Sequence, residues 1–580
     1  MTEKTSNVLA DTWRLAKPYW VSDDRWWARA LLLAIVLLNL ASVYINVRFN
    51  IWNRDFFDAI QRLDGAAFKH QFVVFGVLAA LSIAGTVYQI YLQQMLQIRW
   101  RRWLTRRYLD TWLDEQTYYR LQLRDGGTDN PDQRIADDLD LFTNMSLSLS
   151  IGPSGFLNAG VTLASFLGIL WTLSAAAVLP LGRFGDLRVA GYMVWFALAY
   201  AVGGTWLAFR IGRPLVRLNF EQQRYQADFR FSMMRLRENT ESVALYGGEA
   251  RERRTFMDRF HYVFENFWSI MKRTKQLNWY TSGYNQIAIV FPYLVAAPAY
   301  FARRITFGVL QQTANAFGQV QSSLSFIVNS YAYMAQWHSV VQRLASFEAR
   351  ARETAAAARA YQGIHLEREG QGISVAGLDL DLPDGRGLLR GIGLDVAAGE
   401  WLLIAAPAGT GKSTLLRAMA GIWPFGRGTI RIGAGRTLFL PQRPYLPLGS
   451  LRNALLYPME DDNVPRERLT AALRDVGLAP LAGELDTVDN WAHRLSLGEQ
   501  QRLAFARVLL TEPAIVFLDE ATSALDEPSE AALYGLLRAA PWQPTVVSVG
   551  HRSTLVRFHD RTVRLAEDAG RRADPAPAAG

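Results

Sequence analysis

The chain has 580 residues, of which 50% are hydrophobic and 20% charged, and its formal net charge is +9. It contains no cysteine, which excludes disulfides, thiolate zinc sites and iron–sulfur clusters, and its seven histidines show no metal-ligand spacing. A helix needs about 20 apolar residues to cross the hydrocarbon of a bilayer, and six long uncharged stretches before residue 345 therefore exclude an ordinary soluble protein. These stretches are 30–47, 71–98, 141–182, 189–209, 276–302 and 305–342.

The first half of the chain predicts an interfacial helix followed by six membrane spans. Residues 1–29 contain Trp, Tyr, Arg and Lys without a cleavable signal pattern, which is typical of a helix that lies on the membrane surface. Residues 30–345 hold the six spans, and Gly152-Pro153 interrupts the third, whose helix we expect near 156–176. Residues 215–291 contain no proline and few glycines, which predicts long helices that leave the membrane and return.

The charges between the spans predict the orientation of the chain. The connections 93–140 and 210–275 contain 8 and 14 Lys or Arg, whereas the three opposite connections contain two or three each. Cytoplasmic loops carry such an excess, and an even number of spans places both termini in the cytoplasm. The basic loops also explain the net charge without a nucleic-acid partner.

The last third of the chain predicts a soluble α/β domain. Residues 346–372 are rich in Ala, Arg and Glu, and we expect a linker helix followed by a loop. Between 373 and 565 short β-like runs alternate with helical segments, which is typical of a largely parallel sheet. Residues 566–580, rich in Ala, Pro and Arg, predict a disordered tail.

The segment AAPAGTGKST predicts a phosphate-binding loop, because it follows an apolar strand and opens a helix. In such a loop backbone N–H groups cradle the phosphates, Lys412 reaches the β- and γ-phosphates, and the Ser413 hydroxyl ligates Mg²⁺. Alanine replaces the usual first glycine at position 406, and its methyl group is tolerated if φ is negative. The predicted ATP-binding residues are Ala406, Pro407, Ala408, Gly409, Thr410, Gly411, Lys412, Ser413 and Thr414.

Two further motifs belong with this loop. The run IVFLDE at 515–520 predicts a buried strand that brings Asp519 near the metal and lets Glu520 polarise the attacking water as a general base. An acidic pair that faces solvent is the alternative. The run LSLGEQQR, which starts at 495, predicts a helix N-terminus that binds phosphate. This helix can bind the nucleotide at Lys412 only if the chain folds back on itself or if the helix comes from a second copy of the chain.

Residues 373–565 resemble the nucleotide-binding domain of ATP-binding cassette (ABC) transporters. The motifs occur in that family's order: the phosphate loop, Gln442 in FLPQRPY, LSLGE, IVFLDE, SALD and His551 in VSVGHR. The resemblance implies that Gln442 senses both Mg²⁺ and the membrane domain, and that His551 contacts the γ-phosphate. Gln442 would thus join Ser413 and Asp519 at the metal. The usual aromatic partner of the adenine is not evident in 375–385.

The same resemblance implies a dimer. Asp526 of SALD would lie at the dimer seam, and the signature segment would bind the nucleotide of the partner subunit. The signature residues are Ser496, Leu497, Gly498 and Glu499. A chain with one cassette would therefore pair with a second copy, most simply as a homodimer.

The membrane half is similar to one branch of the family, which contains the SbmA/BacA-like and YddA-like bacterial importers of peptides, cobalamin and bleomycin and the peroxisomal acyl-CoA transporters. The similarity rests on NPDQRI at 130–135, LRENTESVALYGGEARE at 236–252 and GIWPFGRGTI at 421–430. It implies an exporter-type (type IV) six-helix transmembrane domain followed by the α/β ATPase, with short cytosolic helices touching the cassettes. It also implies a bacterial inner membrane.

Polar residues of the sixth span recur every three or four positions and so share one helical face. The candidates for a substrate cavity are Gln319, Ser323, Asn329, Tyr333 and Gln336. Polar groups at bilayer depth need partners or water, so this face predicts a hydrated, uncharged cavity for a bulky hydrophilic solute. Hydrogen bonding between helices is the alternative.

The function predicted from these features is ATP-driven import of a peptide, glycopeptide or cobalamin by alternating access of a homodimer. Three alternatives stay open: an acyl-CoA or lipid transporter, an exporter, and a membrane-anchored sensory ATPase that moves no solute. The absence of charged residues from the fifth and sixth spans argues against the phosphates of CoA.

Overall fold

The computed structural model describes residues 8–125, 131–175, 179–180, 186–187, 191–326, 330–360, 363–407, 409–459 and 463–565. Asn329 and Ala408 among the predicted site residues, Asn130 of NPDQRI and the tail at 566–580 lie outside these ranges. The chain divides into two compact units. One comprises Met1–Thr111 and Asn130–Ala349, and the other comprises Trp112–Asp129 and Arg350–Gly580.

The first unit consists mainly of long helices. In chain order the helices are α1 (Val8–Ala16), α2 (Arg25–Gln61), α3 (Gly65–Leu113), α4 (Thr117–Asp125), α5 (Pro131–Gln133), α6 (Leu139–Ile151), α7 (Phe156–Ala175), α8 (Tyr192–Glu238), α9 (Thr240–Tyr246), α10 (Glu249–Phe301), α11 (Phe307–Leu324) and α12 (Tyr331–Ala360). A two-residue strand pair, β1 (Leu179–Pro180) and β2 (Asp186–Leu187), precedes α8. Of these helices, α4 belongs to the second unit.

Four helical segments of the described chain are long and apolar enough to cross a membrane. They are Arg25–Gln61, Gly65–Leu123, Pro131–Ser174 and Tyr192–Glu238. The fifth and sixth expected spans correspond to α10 and to α11 with α12. Both are less apolar, because the sixth contains the predicted cavity residues and the fifth contains polar residues such as Asn278, Asn285 and Gln286.

The third span is broken where the sequence contains Gly152-Pro153. Helix α6 ends at Ile151 and α7 begins at Phe156. The break frees the carbonyl group of Ile151, and two buried side-chain amides donate to it: Asn39 Nδ2 at 2.7 Å and Gln89 Nε2 at 3.4 Å. A buried carbonyl without a donor is costly, so these two amides stabilise the break.

Among its described residues, the second unit contains two large sheets and one small two-stranded antiparallel sheet. Its strands are β3 (Ile364–Arg368), β4 (Ile373–Asp381), β5 (Gly387–Val396), β6 (Trp401–Ala405), β7 (Gly426–Ile432), β8 (Thr437–Leu440), β9 (Gly449–Ser450), β10 (Val488–Asp489), β11 (Ile515–Asp519), β12 (Thr545–Gly550) and β13 (Arg561–Arg564). A parallel five-stranded sheet has the order β13-β6-β12-β11-β8, and a mixed four-stranded sheet has the order β3-β7-β4-β5. Strand β3 begins within the segment expected to be a linker.

Helices of the second unit cover the parallel sheet. They are α13 (Lys412–Met419), α14 (Leu451–Leu456), α15 (Arg466–Asp475), α16 (Trp491–Arg494), α17 (Leu497–Thr511) and α18 (Glu527–Arg538). The strands β6, β11 and β12 are buried almost completely, as parallel strands covered on both faces are. Leu123 of α4 packs against a hydrophobic cluster of this unit, a contact of the kind that the family resemblance implies for the first long cytosolic segment.

Candidate nucleotide site

The phosphate-binding loop connects β6 to α13 at the carboxyl edge of the parallel sheet. Gly409 and Gly411 have φ of +83° and +92°, conformations that residues with a Cβ rarely adopt. Ala406 keeps a negative φ, so the methyl group in place of the usual glycine causes no backbone strain. The loop therefore has the backbone required to direct N–H groups at phosphates.

Four side chains converge beside this loop. The Glu520 carboxylate accepts hydrogen bonds from Gln442 Nε2 and from His551 Nδ1, each at 3.2 Å. Lys412 Nζ lies 3.8 Å from Glu520 Oε1 and donates to the carbonyl oxygen of Ala406 at 2.7 Å. Strand β11 thus carries Glu520 to the same edge of the sheet as the phosphate loop.

Glu520 has strained backbone geometry, with φ at +48°. A residue with a side chain adopts the left-handed region at a cost, and such strain concentrates at functional sites. The Glu520 N–H donates to the carbonyl of Val549 on β12 at 3.0 Å, which holds the strained residue against the next strand. Among the described residues that converge beside the loop, Glu520 alone has this left-handed conformation, so the fold holds it in a defined position.

Asp519 and Ser413 form the oxygen pair expected at a metal. The Ser413 hydroxyl donates to Asp519 Oδ1 at 3.1 Å. Burial, and secondarily the neighbouring Glu520, raises the pKa of the Asp519 carboxyl above its usual range. Mg²⁺ prefers oxygen ligands, and a divalent cation would offset the burial of this carboxylate, so the residues present fit the metal.

The signature segment begins helix α17. Ser496 caps the helix and forms a capping box with Glu499: its hydroxyl accepts from the Glu499 N–H at 3.3 Å, and its own N–H donates to Glu499 Oε2 at 2.9 Å. The hydrogen bonds from Ser496 also lower the pKa of the Glu499 carboxyl. Gly498 lies close to the carbonyl of Ala524, since an added Cβ would be 3.2 Å from that oxygen.

Within the described part of the chain, no hydrogen bond joins residues 496–499 to the phosphate loop. Asp526 is exposed and caps α18, accepting from the N–H of Ser529 at 3.1 Å. The structure thus brings together Lys412, Ser413, Gln442, Asp519, Glu520 and His551. It leaves Ser496 and Asp526 exposed, and the other signature residues are half-buried.

Sequence reasoning overlooked two residues near this site. Gln501, two positions after the signature, is fully buried and accepts from the Ala524 N–H. Arg552, which follows His551, donates to carbonyl groups between Ala521 and Asp526. Their proximity to named motifs was the only signal, because neither contact follows from spacing along the chain.

The predicted cavity residues of the sixth span differ in exposure. Gln319 and Gln336 are exposed on the isolated chain, while Ser323 and Tyr333 are half-buried. The Tyr333 hydroxyl donates to Asn144 Oδ1 of α6 at 3.3 Å. One of these polar groups thus bonds to a neighbouring helix, and the exposed glutamines can bond to water or to a solute.

Comparisons with known proteins match both halves of the chain. The family model described as "ABC transporter transmembrane region 2" matches residues 15–301, and the one described as "ABC transporter" matches residues 389–523. The second match includes the phosphate loop, the signature and strand β11.

Relatives are similar over nearly the whole chain. ABC transporter D family member 2, chloroplastic, of Arabidopsis thaliana is 34% identical, and the match covers 96% of this chain and 85% of that protein. The inner membrane ABC transporter ATP-binding protein YddA of Escherichia coli is 31% identical over 93% and 94% of the two chains. The human lysosomal cobalamin transporter ABCD4 is 26% identical over 94% and 92%.

A solved structure shares the fold. It is described as a bacterial Atm1-family ABC exporter with ATP bound, and it matches with a TM-score of 0.71 at 18% identity over 94% of each chain. This likeness confirms the expected architecture, an exporter-type helical membrane domain followed by an α/β nucleotide-binding domain.

Proposed function

Because this chain belongs to the ABC transporters, membrane proteins that couple ATP hydrolysis to transport, we propose that it works as a homodimer importing a bulky hydrophilic solute into a bacterial cell. The observation that carries the proposal is the convergence of Lys412, Gln442 and His551 on the strained Glu520 at the end of β11.

At this site Glu520 is the general base, which polarises the attacking water, and His551 and Gln442 hold its carboxylate in place. Lys412 neutralises the β- and γ-phosphates once it leaves the carbonyl of Ala406. Ser413, Asp519 and Gln442 would hold Mg²⁺, which supplies positive charge against the phosphates. The left-handed backbone of Glu520 costs free energy, and such strain is typical of a residue held in place for function.

The signature residues supply the reason for a homodimer. Ser496 is exposed at the N-terminus of α17, where free N–H groups favour a phosphate. Since the described contacts within one chain do not bring this helix end to the phosphate loop, a second copy is the natural source of it. Two equivalent sites would then form, each from the loop of one subunit and the signature of the other.

The polar face of the sixth span supports a hydrophilic solute. Gln319 and Gln336 are exposed, and the fifth and sixth spans carry no charged side chain. Uncharged hydrogen-bonding groups suit a peptide, glycopeptide or corrinoid better than an acyl chain or the phosphates of CoA. The name of the human relative, a cobalamin transporter, supports the corrinoid in particular.

Import, orientation and location are part of the same proposal. The resemblance to SbmA/BacA-like proteins supports uptake, and the inner-membrane name of the Escherichia coli relative supports that location. The basic connections at 93–140 and 210–275 support cytoplasmic termini.

Reconstituted vesicles test the proposal. Uptake of labelled peptides, cobalamin and acyl-CoA is measured with ATP on either side. Lys412→Ala is expected to remove both flux and ATP hydrolysis. Glu520→Gln is expected to lower turnover by about 100-fold or more while ATP stays bound, because a general base contributes that much.

Glu467→Gln is the matched control, since Glu467 is exposed on α15 and is expected to leave turnover unchanged. Turnover that persists in Glu520→Gln would remove Glu520 as the base. If acyl-CoA alone were transported, the solute would be an acyl-CoA and not a bulky hydrophilic compound. ATP hydrolysis without flux of any labelled compound would favour the sensory ATPase.

A further inference from the structure

The segment Ala521–Asp526, here called the seam loop, follows Glu520 and precedes α18. It forms turns and belongs to none of the described helices or strands. Under the proposed function it ends at the residue that meets the partner subunit, Asp526. A loop that transmits a signal between two sites must be held in a defined position, and the side chains of Arg552, Glu530 and Gln501 hold this one.

Arg552 holds the seam loop from one side. Its guanidinium donates to the carbonyl oxygens of Ser523 at 2.6 Å, Leu525 at 2.9 Å and Thr522 at 3.5 Å. The planar fork of an arginine holds its donors in a fixed geometry that suits several carbonyl acceptors, whereas a lysine ammonium is a compact point charge on a flexible stem. Arg552 directly follows His551 in the chain. A displacement of His551 would therefore also move the guanidinium that donates to the seam loop.

Glu530 fixes the position of Arg552. Its carboxylate is completely buried on α18 and lies 3.6 Å from the Arg552 guanidinium. It also accepts from the Thr522 hydroxyl at 2.9 Å and from the Thr554 hydroxyl at 2.7 Å. A buried carboxylate needs such partners, so the arginine, the loop and the residues after His551 form one hydrogen-bonded unit.

Gln501 holds the seam loop from the other side. Its side chain is fully buried, and its carboxamide accepts from the Ala524 N–H at 3.0 Å. The same carboxamide donates to the Ser523 hydroxyl at 3.2 Å and to the carbonyl of Gln442 at 2.9 Å. Gln501 therefore joins the loop to the backbone of a residue whose side chain contacts Glu520.

We propose that Arg552 and Gln501 are positioning residues that couple the nucleotide site of one subunit to the seam loop, and through it to the site of the partner subunit. His551 acts through Arg552 and Gln442 acts through Gln501, so both contacts of Glu520 lead to one loop. The proposal rests on the homodimer of the proposed function. It predicts that changing Arg552 impairs hydrolysis chiefly in the opposite subunit.

Arg552→Gln in both subunits is expected to lower the rate of ATP hydrolysis about tenfold, within the usual range of coupling between sites. ATP affinity, measured by equilibrium binding in the Glu520→Gln background, is expected to change less than about twofold, since no hydrogen bond among the described residues joins the seam loop to the phosphate loop. Arg564→Gln is the matched control, because Arg564 is exposed at the end of β13.

Mixed dimers separate the proposed coupling from a local effect. Two differently tagged chains are purified together, and Glu520→Gln confines hydrolysis to one subunit. In one arrangement Arg552→Gln lies in the Glu520→Gln subunit, opposite the active site. In the other it lies in the hydrolysing subunit. A larger loss in the first arrangement supports the proposal, whereas equal losses or a larger loss in the second overturn it.

Two further variants guard against a folding defect. Arg552→Lys keeps the charge beside Glu530 but not the fork, and Gln501→Met keeps the approximate shape of the side chain. Both are expected to give the same ranking of the two arrangements, and the opposite ranking overturns the proposal. A wild-type protein that is monomeric with ATP would instead contradict the proposed function, so the two failures are distinguishable.

Discussion

At the scale of single residues, His559 gives the cassette a defined pH dependence. It lies between the carbonyl of Leu555 and the hydroxyl of Ser548, each 2.7 Å from a ring nitrogen. The carbonyl can only accept, so Nδ1 carries the proton and the neutral ring fits the site. Burial lowers the pKa of His559 below its usual 6.5, more than the nearby acceptors raise it.

We predict that the cassette loses stability as the pH falls below 6.5, because the unfolded chain then binds a proton that the folded chain excludes. One pH unit below that value corresponds to at most about 1.4 kcal/mol, or roughly 3–6 °C in the transition temperature. Thermal unfolding of the purified transporter at pH 7.5 and 5.5 measures this loss. His559→Gln keeps a donor and an acceptor, and we expect its transition temperature to change less between the two pH values than that of the wild type. Equal changes in the two proteins would contradict the prediction.

The nucleotide site shows which residues a sequence can predict. Lys412, Ser413, Asp519 and Glu520 come from motifs whose spacing along the chain is set by local geometry, a loop between strand and helix and a strand end. The Gln501 carboxamide cannot be found that way, because its partners lie at Gln442 and Ala524, on segments far from it in sequence. The negative φ of Ala406, which lets alanine replace the usual glycine, is likewise visible only in the structure.

At the scale of elements, a buried ion pair joins the third span to the last helix before the cassette. A single turn of π-helix, Arg134–Asp138, precedes α6. Asp138 is 1% exposed and accepts from Arg343 of α12 at 2.6 and 2.8 Å and from Arg134 at 2.9 Å. π-helical turns often occur at functional positions, and this one turns the carboxylate toward α12.

Asp138→Asn is expected to destabilise the membrane unit by about 3 kcal/mol, because it leaves guanidinium groups without their buried carboxylate. Thermal unfolding in detergent measures the change. Asp140→Asn is the matched control two residues along: its carboxylate is 42% exposed and pairs with Arg101 at 3.1 Å, so its removal is expected to cost less than about 1 kcal/mol. Equal effects of the two substitutions would show that the buried ion pair of Asp138 does not stabilise the membrane unit more than an exposed pair does.

The helix breaks illustrate the limit of prediction at this scale. Gly152-Pro153 predicts the end of α6, since proline and glycine both interrupt helices. The donors that satisfy the freed carbonyl of Ile151, Asn39 and Gln89, come from two other helices and carry no local signal. The sequence therefore indicates where a span breaks. The hydrogen bonds that stabilise the break are visible only in the three-dimensional structure.

At the scale of the whole molecule, helices α8 and α10 form a long hairpin whose basic segment, 210–275, lies outside the membrane in our proposal. A buried contact joins its two arms, where Asn266 Nδ2 donates to Gln222 Oε1 and to the carbonyl of Leu218, each at 2.8 Å. Other apolar side chains of the hairpin are exposed on the isolated chain: Phe220 at 68%, Phe231 at 63%, Met257 at 60%, Phe264 at 54% and Phe267 at 53%.

So many large apolar side chains in a segment that we propose lies outside the membrane indicate an interface, and the proposed homodimer makes a second copy its occupant. Phe220→Ser combined with Phe264→Ser is expected to weaken dimerisation at least tenfold, since buried aromatic side chains dominate such interfaces. Light scattering of the detergent-purified protein over a range of concentrations measures the association. Leu63→Ser is the control, because Leu63 is 91% exposed at the turn after α2, away from the hairpin in sequence.

The expected result couples assembly to catalysis. If each nucleotide site needs the signature of the partner subunit, the double hairpin variant loses ATP hydrolysis in proportion to the dimer it loses, although it alters no residue of the site. The control keeps both. A hairpin variant that is monomeric yet hydrolyses ATP at the wild-type rate would show that one chain completes the site alone, and the exposure of Ser496 would then need another explanation.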